Sequence, residues 1–340
     1  MTKELLKDRS NRWLLWLGIL AVLALVAAVF ALVVGPAGIP LERIFRILGG
    51  CQSGIENQIV WNIRFPRLLL GFAIGGALSL AGVMLQGLFR NPLVEPYTLG
   101  ISGGAAVGVS LNILIGFSRA GVLSLPVSGF LGACFVILLL YFLSARRKML
   151  SLQGMLLTGV MISFISSSLI MLTLAISRNE DLQGILFWIM GSLDEPNSAL
   201  IYVALAVSLF FLGLSYFFYT DLNAFALGEE EAAHLGVPVE RTKRILFAMA
   251  AVLTGVSVAV AGVIGFVGLV VPHFMRKFVG RDHRILLAAS FLGGGCFLVF
   301  SDSLARILIA PLELPVGVIT GLVGGALFIA VLSRGEKGGF

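Results

Sequence analysis

The sequence predicts an all-α integral membrane protein of about ten transmembrane helices, and three observations carry that reading. Of the 340 residues, 58% are hydrophobic and only 12% charged, with a mean hydropathy of +1.02, which leaves too little polar surface for a water-soluble globule. Apolar runs of ~20 residues, each enough for one bilayer crossing, follow one another almost without pause. The runs are continuous rather than alternating, which indicates helices and not barrel strands. A single polytopic domain over residues 1–340 is therefore expected.

The first run, residues 13–34, follows Lys3, Lys7, Arg9 and Arg12 as a signal peptide would. It spans ~20 residues and lacks an AxA-type cleavage site, so it reads as a retained first helix. Further spans fall near 68–89, 97–115, 121–144, 150–176, 198–219, 245–262, 264–279, 285–305 and 314–333. The stretch QGILFWIMGSLDEP, 183–196, is apolar but short, which suits an extra interfacial or re-entrant helix at the outer face. Two connections, an outer one over 35–66 and an inner one over 220–244, have the length of functional or disordered loops. With the amino terminus inside, 17 of the 24 Lys and Arg residues fall on the cytoplasmic side, as the positive-inside rule requires. Both termini are then cytoplasmic, Cys51 is outside and the cluster over 146–148 is inside. The net charge of +6 and pI near 9.5 sit in short clusters between apolar runs, without the aromatic-rich basic stretch of a nucleic-acid binder.

Residues able to carry chemistry are sparse. No Gly-Lys dipeptide occurs, so the chain has no phosphate-cradling GxxxxGK[ST] loop; ATP, if it drives transport, is bound by a separate subunit, and no cofactor is expected here. Ion-coupled carriers need ionisable groups at mid-membrane. Here Asp302 and Glu313 fall near outer ends, and His273 reads as a hydrogen-bonded packing residue rather than a proton relay. That weighs against an ion-coupled secondary transporter, the main alternative, and no converging nucleophile, acid or metal ligands suggest an enzyme. Cys51, Cys134 and Cys296 lie far apart without a CxxC pair, so neither a disulfide framework nor a metal site is expected. Gly71, Gly75 and Ser79, and likewise Gly317, Gly321 and Gly325, are spaced for close helix approach, as tight packing or as a mobile seam. Ser163, Ser166, Ser167 and Ser168 give the fifth span a hydroxyl face that either lines a path or bonds the preceding turn. The inner connection holds ALGEEEAAHLGVP, 226–238. Glu229, Glu230 and Glu231 suit a short helix's positive end, Ala232 and Ala233 form a flat face, and Gly236 with Pro238 stop it. Such a helix is fitted to dock into a partner's groove or to serve as a solvated connector.

Seven segments in order over nearly the whole chain carry a resemblance: WNIRFPR (61–67), RNPLVEPYTLGISGGAAVG (90–108), ALGEEEAAHLGVP (226–238), GFVGLVVPHFMR (265–276), DHR (282–284), SDSLAR (301–306) and ELPVGVITGLVGG (313–325). With them the sequence resembles the FecCD/BtuC-type permeases of bacterial importers for iron-siderophores, haem and cobalamin. The resemblance implies a BtuC-like, type II importer fold of ten helices in the bacterial plasma membrane. It also implies pairing with a second permease copy around a central path, two ATPase subunits beneath and an extracytoplasmic substrate-binding protein above. It assigns ATPase coupling to Leu227, Gly228, Glu229, Glu230, Ala232, Ala233, Leu235 and Gly236, and binding-protein docking to Arg64, Arg67 and Arg306. The family's fifth and tenth helices flank the path, which points to Ser163, Ser167, Gly317 and Gly321. Some relatives carry small hydroxyl gate residues at the inner start of the fifth helix, where this chain has Ser151, Leu152 and Gln153.

Overall fold

Helices form where apolar residues run together and stop where glycine, proline or charge interrupts them, because backbone in lipid must bond within its own segment. The computed structural model describes residues 2–50, 54–145 and 152–335. In chain order the helices are α1 (Thr2–Val33), α2 (Leu41–Leu48), α3 (Ile55–Ile59), α4 (Phe65–Phe89), α5 (Ile101–Leu114), α6 (Ser124–Ala145), α7 (Leu152–Ile176), α8 (Asn179–Met190), α9 (Ser198–Ser215), α10 (Tyr219–Phe225), α11 (Glu229–His234), α12 (Val239–Ala261), α13 (Val267–Val279), α14 (His283–Ala305) and α15 (Val316–Gly335). The ten expected spans coincide with α1, α4, α5, α6, α7, α9, α12, α13, α14 and α15. Six apolar helices among the described residues are long enough to cross a membrane unaided, and parts of α5, α6 and α15 form shorter apolar helices. The extra outer helix is α8, which starts at Asn179, earlier than expected. Cys51, the 146–148 cluster, Ser151 and Lys337 lie outside the described residues.

Two expectations are corrected. The connection 35–66 is largely helical: α2 and α3 occupy it, and Ile55–Phe89 runs as one 35-residue helix through a π-helical turn, Val60–Arg64. Pro66 lacks an N–H and crowds the carbonyl four residues back, and the wider π turn directly ahead of it accommodates both defects. The third span is also shorter than expected, since Pro96–Leu99 forms a 3-10 turn and Gly100 (φ 76°) breaks the chain before α5. At ~1.5 Å per residue α5 and α13 each rise only about 20 Å, less than the hydrocarbon thickness. Residues 94–100 and the break 262–266 are largely covered by protein, the setting in which irregular backbone is tolerated at membrane depth.

α4 is the centre of the bundle: 89% of its apolar window is buried, against 17% for α1 and 22% for α7 and α9. It packs on α14, α12, α9 and α13. Association between helices in lipid depends on close van der Waals packing rather than on expulsion of water, and glycine permits it here. A Cβ on Gly75 would collide with the Gly294 carbonyl of α14, one on Gly294 with the Gly75 carbonyl, and one on Gly71 would lie 2.8 Å from Val299 Cγ2. Of the two readings of this glycine series, the geometry selects close packing. Gly75→Val should therefore force α4 and α14 apart and cost about 1–3 kcal/mol, lowering the unfolding temperature in detergent. Gly213→Ala in α9, where nothing lies within 4 Å, should be neutral or slightly stabilising.

Candidate functional site

At one end of the bundle α10 and α11 form a compact platform. Asn223 of α10 donates to Asp282 at 2.9 Å and accepts from the His283 N–H at 2.9 Å, which ties the platform to the start of α14. Lys243 of α12, buried, pairs with Glu229 at 2.9 Å and Glu240 at 2.8 Å. Gly228 (φ 146°) and Gly236 (φ 87°) bracket α11. Gly236 N–H donates to Ala233 O at 2.9 Å and Val237 N–H to Ala232 O at 3.0 Å, a Schellman stop that requires the left-handed residue. The flat face expected of Ala232 and Ala233 is corrected: Ala232 is buried at 0% exposure, holding α11 to the bundle, while Ala233 faces out. Leu227 and Leu235, 62% and 65% exposed, flank Ala233, and Glu230 is exposed beside them. The result is a rigid small-residue surface between two uncovered leucines.

At the opposite end lie Arg64, Arg67 and Arg306, only 3%, 8% and 4% exposed. The open positive patch expected of them is not there. α1 ends with carbonyls that have no helical partner, and two guanidinium groups satisfy them: Arg64 donates to Leu32, Val33 and Ala37 carbonyls, and Arg306 to Ala31 and Val34 at 3.3 and 3.2 Å. The negative end of the helix dipole favours this placement. Arg306 also pairs with Asp302 at 3.0 Å, and Arg67 with Glu313 at 2.7 Å and Asp194 at 3.1 Å. A cavity of ≈ 290 Å³ lined by Arg67, Asp194, Asp302, Arg306 and Glu313 opens there. Its exposed charges are acidic, the Asp194 and Glu313 side chains being 69% and 41% exposed.

Ser163 and Ser167 lie on α7, half-buried and exposed respectively. Ser163 Oγ donates back to the Gly159 carbonyl at 3.0 Å, the local bonding that spares a hydroxyl in lipid. Both serines nevertheless line a cavity of ≈ 340 Å³ together with Glu95, Tyr97, Thr98, Val160 and Phe164. The connection 90–100 forms its floor. Tyr97 accepts the Ile264 N–H at 2.8 Å, and the Glu95 carboxylate accepts the Phe266 N–H, so this connection and the break before α13 hold each other. Gly317 is a packing residue, since its Cβ would collide with the Met190 carbonyl and approach that of Val263; Gly321 faces open space. Of Leu152 only the helical backbone is described, at the start of α7.

The chain matches known proteins over nearly its full length. The model of the FecCD transport family matches residues 23–334. The chain belongs to the FecCD transport family. It is 40% identical over 308 residues to the hemin transport system permease protein HmuU of Yersinia pestis, covering 89% of this chain and 92% of that one. It is 38% identical to the Fe(3+) dicitrate transport system permease protein FecD of Escherichia coli, covering 90% and 94%, and 35% identical to the vitamin B12 import system permease protein BtuC of Shigella boydii, covering 97% and 98%. A solved structure described as an inward-facing conformation of a metal-chelate type ABC transporter superimposes with a TM-score of 0.83 at 30% identity, covering 95% of this chain and 99% of that one.

A FecCD permease is a transport subunit and not an enzyme, which suits the sparse chemistry of this bundle. Among the described residues no cluster of three His, Cys, Asp or Glu could hold a metal ion. His273 differs from expectation: its ring sits edge-on to Phe274 and Phe328, and Nε2 is covered without a hydrogen bond. The FecCD bundle also contains a residue the sequence reading passed over. Glu95 stands in a proline-broken gap between two apolar runs, and a carboxylate flanked by Val94 and Pro96 was the available signal. Asp194 was equally legible as the acid that follows the extra outer helix, but its partner, Arg67, is too distant in sequence to be inferred.

Proposed function

We propose that two copies of this chain form the membrane path of an ATP-binding-cassette importer that carries a metal chelate into the cytoplasm. An iron-siderophore is the first choice of substrate, with haem or cobalamin next. The single observation that best supports this reading is the α11 platform, in which exposed Ala233 stands on a braced helix, with exposed Leu227 just before it and Leu235 just after it, at the end richest in Lys and Arg. A surface of that kind has no use in lipid and suits the groove of a cytoplasmic ATPase. The match to relatives named for hemin, Fe(3+) dicitrate and vitamin B12, all of them metal complexes, supports the substrate class.

In this mechanism the ATPases close on ATP, the α11 platforms move with them, and the two permease copies rock so that the path opens to one side at a time. A substrate-binding protein delivers the chelate at the end that carries Asp194, Glu313 and the buried arginines. The chain sits in the bacterial inner membrane with both termini cytoplasmic. The test is uptake of labelled iron chelates by vesicles that contain the permease, its ATPase and its binding protein. Uptake should require ATP and all three components. Uptake by the permease alone, driven by an ion gradient, would establish a secondary transporter instead.

A further inference from the structure

Helix α2 carries an apolar surface that the described residues leave exposed. With about 100° of rotation per residue, Leu41, Phe45 and Leu48 fall within one arc of about 60°. Ile44 and Ile47 extend that arc on one side, and Glu42, Arg43 and Arg46 occupy the opposite side. Ile44 and Ile47 are buried in a cluster with Ala27, Ala31 and Leu32 of the last two turns of α1, whereas Leu41, Phe45 and Leu48 stay 42–59% exposed. The position of α2 along α1 points to what covers them. α1 is an apolar span, and Ala27 lies only about 9 Å along its axis from the end at Val33, so α2 rests where hydrocarbon gives way to headgroups. The turn of α1 just below exposes Val22, Leu25 and Val26, which brings lipid up to the level of α2. Trp61, 40% exposed, leans on Phe65 one turn from Arg64, which binds the carbonyls at the end of α1. An indole half in contact with solvent at that level marks the membrane interface. The charges of α2 are already paired, Arg46 with Glu42 and Arg43 with Glu56, so this stretch offers no net charge for a protein partner to match. Eight residues rise only about 12 Å, too little to span, whereas an apolar arc opposite a charged one suits a helix that lies in the interface.

We propose that α2 is an interfacial anchor whose Leu41, Phe45 and Leu48 insert into the lipid leaflet at the end of the molecule opposite the α11 platform. That leaflet is the outer one on the importer reading, but the anchoring does not depend on that reading. By resting on α1 through Ile44 and Ile47, α2 holds the end of α1 at the headgroup level.

The experiment places a nitroxide at Phe45→Cys, with Cys51, Cys134 and Cys296 replaced by alanine, in the full-length permease reconstituted in vesicles of phosphatidylcholine and phosphatidylglycerol. Collision of the label with oxygen, which concentrates in hydrocarbon, and with a water-soluble nickel chelate gives its depth. The label should lie about 5–10 Å below the phosphates, while a label at Arg43→Cys, on the opposite side of the helix, should meet the chelate freely. Leu48→Cys repeats the measurement at a second exposed position if Phe45→Cys fails to fold. Chelate access at Phe45 and Leu48 equal to that at Arg43 overturns the proposal by placing the arc in water, and shielding of those labels by added binding protein would then assign the arc to that partner. Exclusion of both oxygen and chelate also overturns it, because the arc is then covered by protein, as a second copy of this chain would cover it.

Discussion

Arg306→Met should destabilise the isolated permease by about 3–5 kcal/mol, the usual cost of removing one partner from a buried ion pair. Asp302, itself 6% exposed, would keep its charge without the guanidinium at 3.0 Å, and the Ala31 and Val34 carbonyls at the end of α1 would lose their donor. The loss should appear as a lower unfolding temperature in detergent with no binding protein present. A surface docking residue would behave in the opposite way, leaving stability within ~0.5 kcal/mol and weakening only association. That second pattern would restore Arg306 to the outer surface and remove the structural role described here.

Ala233→Trp should abolish most coupled transport while leaving the permease folded. Ala233 is exposed between Leu227 and Leu235, and nothing in the bundle lies over it, so an indole there meets no intramolecular obstacle. It does obstruct a partner whose groove fits a methyl group, and overpacking of a fitted contact typically costs about 1–3 kcal/mol, roughly a 5- to 150-fold loss of coupling. Uptake in reconstituted vesicles measures the effect, with thermal unfolding of the permease as the control. Ala232→Trp provides the contrast: Ala232 is fully buried, so that substitution should damage folding itself. Transport by Ala233→Trp at the wild-type rate would reduce α11 to a connector.

Composition and run length alone determined the class of this protein and its ten apolar segments, because lipid imposes one rule on every residue of a span. Helix α11 was legible for a similar reason: acids at its start and Gly236 at its end are local signals that act within one turn. What the sequence could not decide was where charged side chains find partners. Arg64 and Arg306 resembled exposed helix-end arginines until the end of α1, remote in sequence, was brought beside them with unsatisfied carbonyls. Glu95 was an unremarked acid in a broken segment until Phe266, Ser163 and Thr98 enclosed it. Gly75 remained ambiguous between packing and motion until Gly294 lay against it. In each case the deciding interaction spans distant parts of the chain, and whether a buried polar or small residue is anchored, strained or free depends on which distant backbone the fold sets against it.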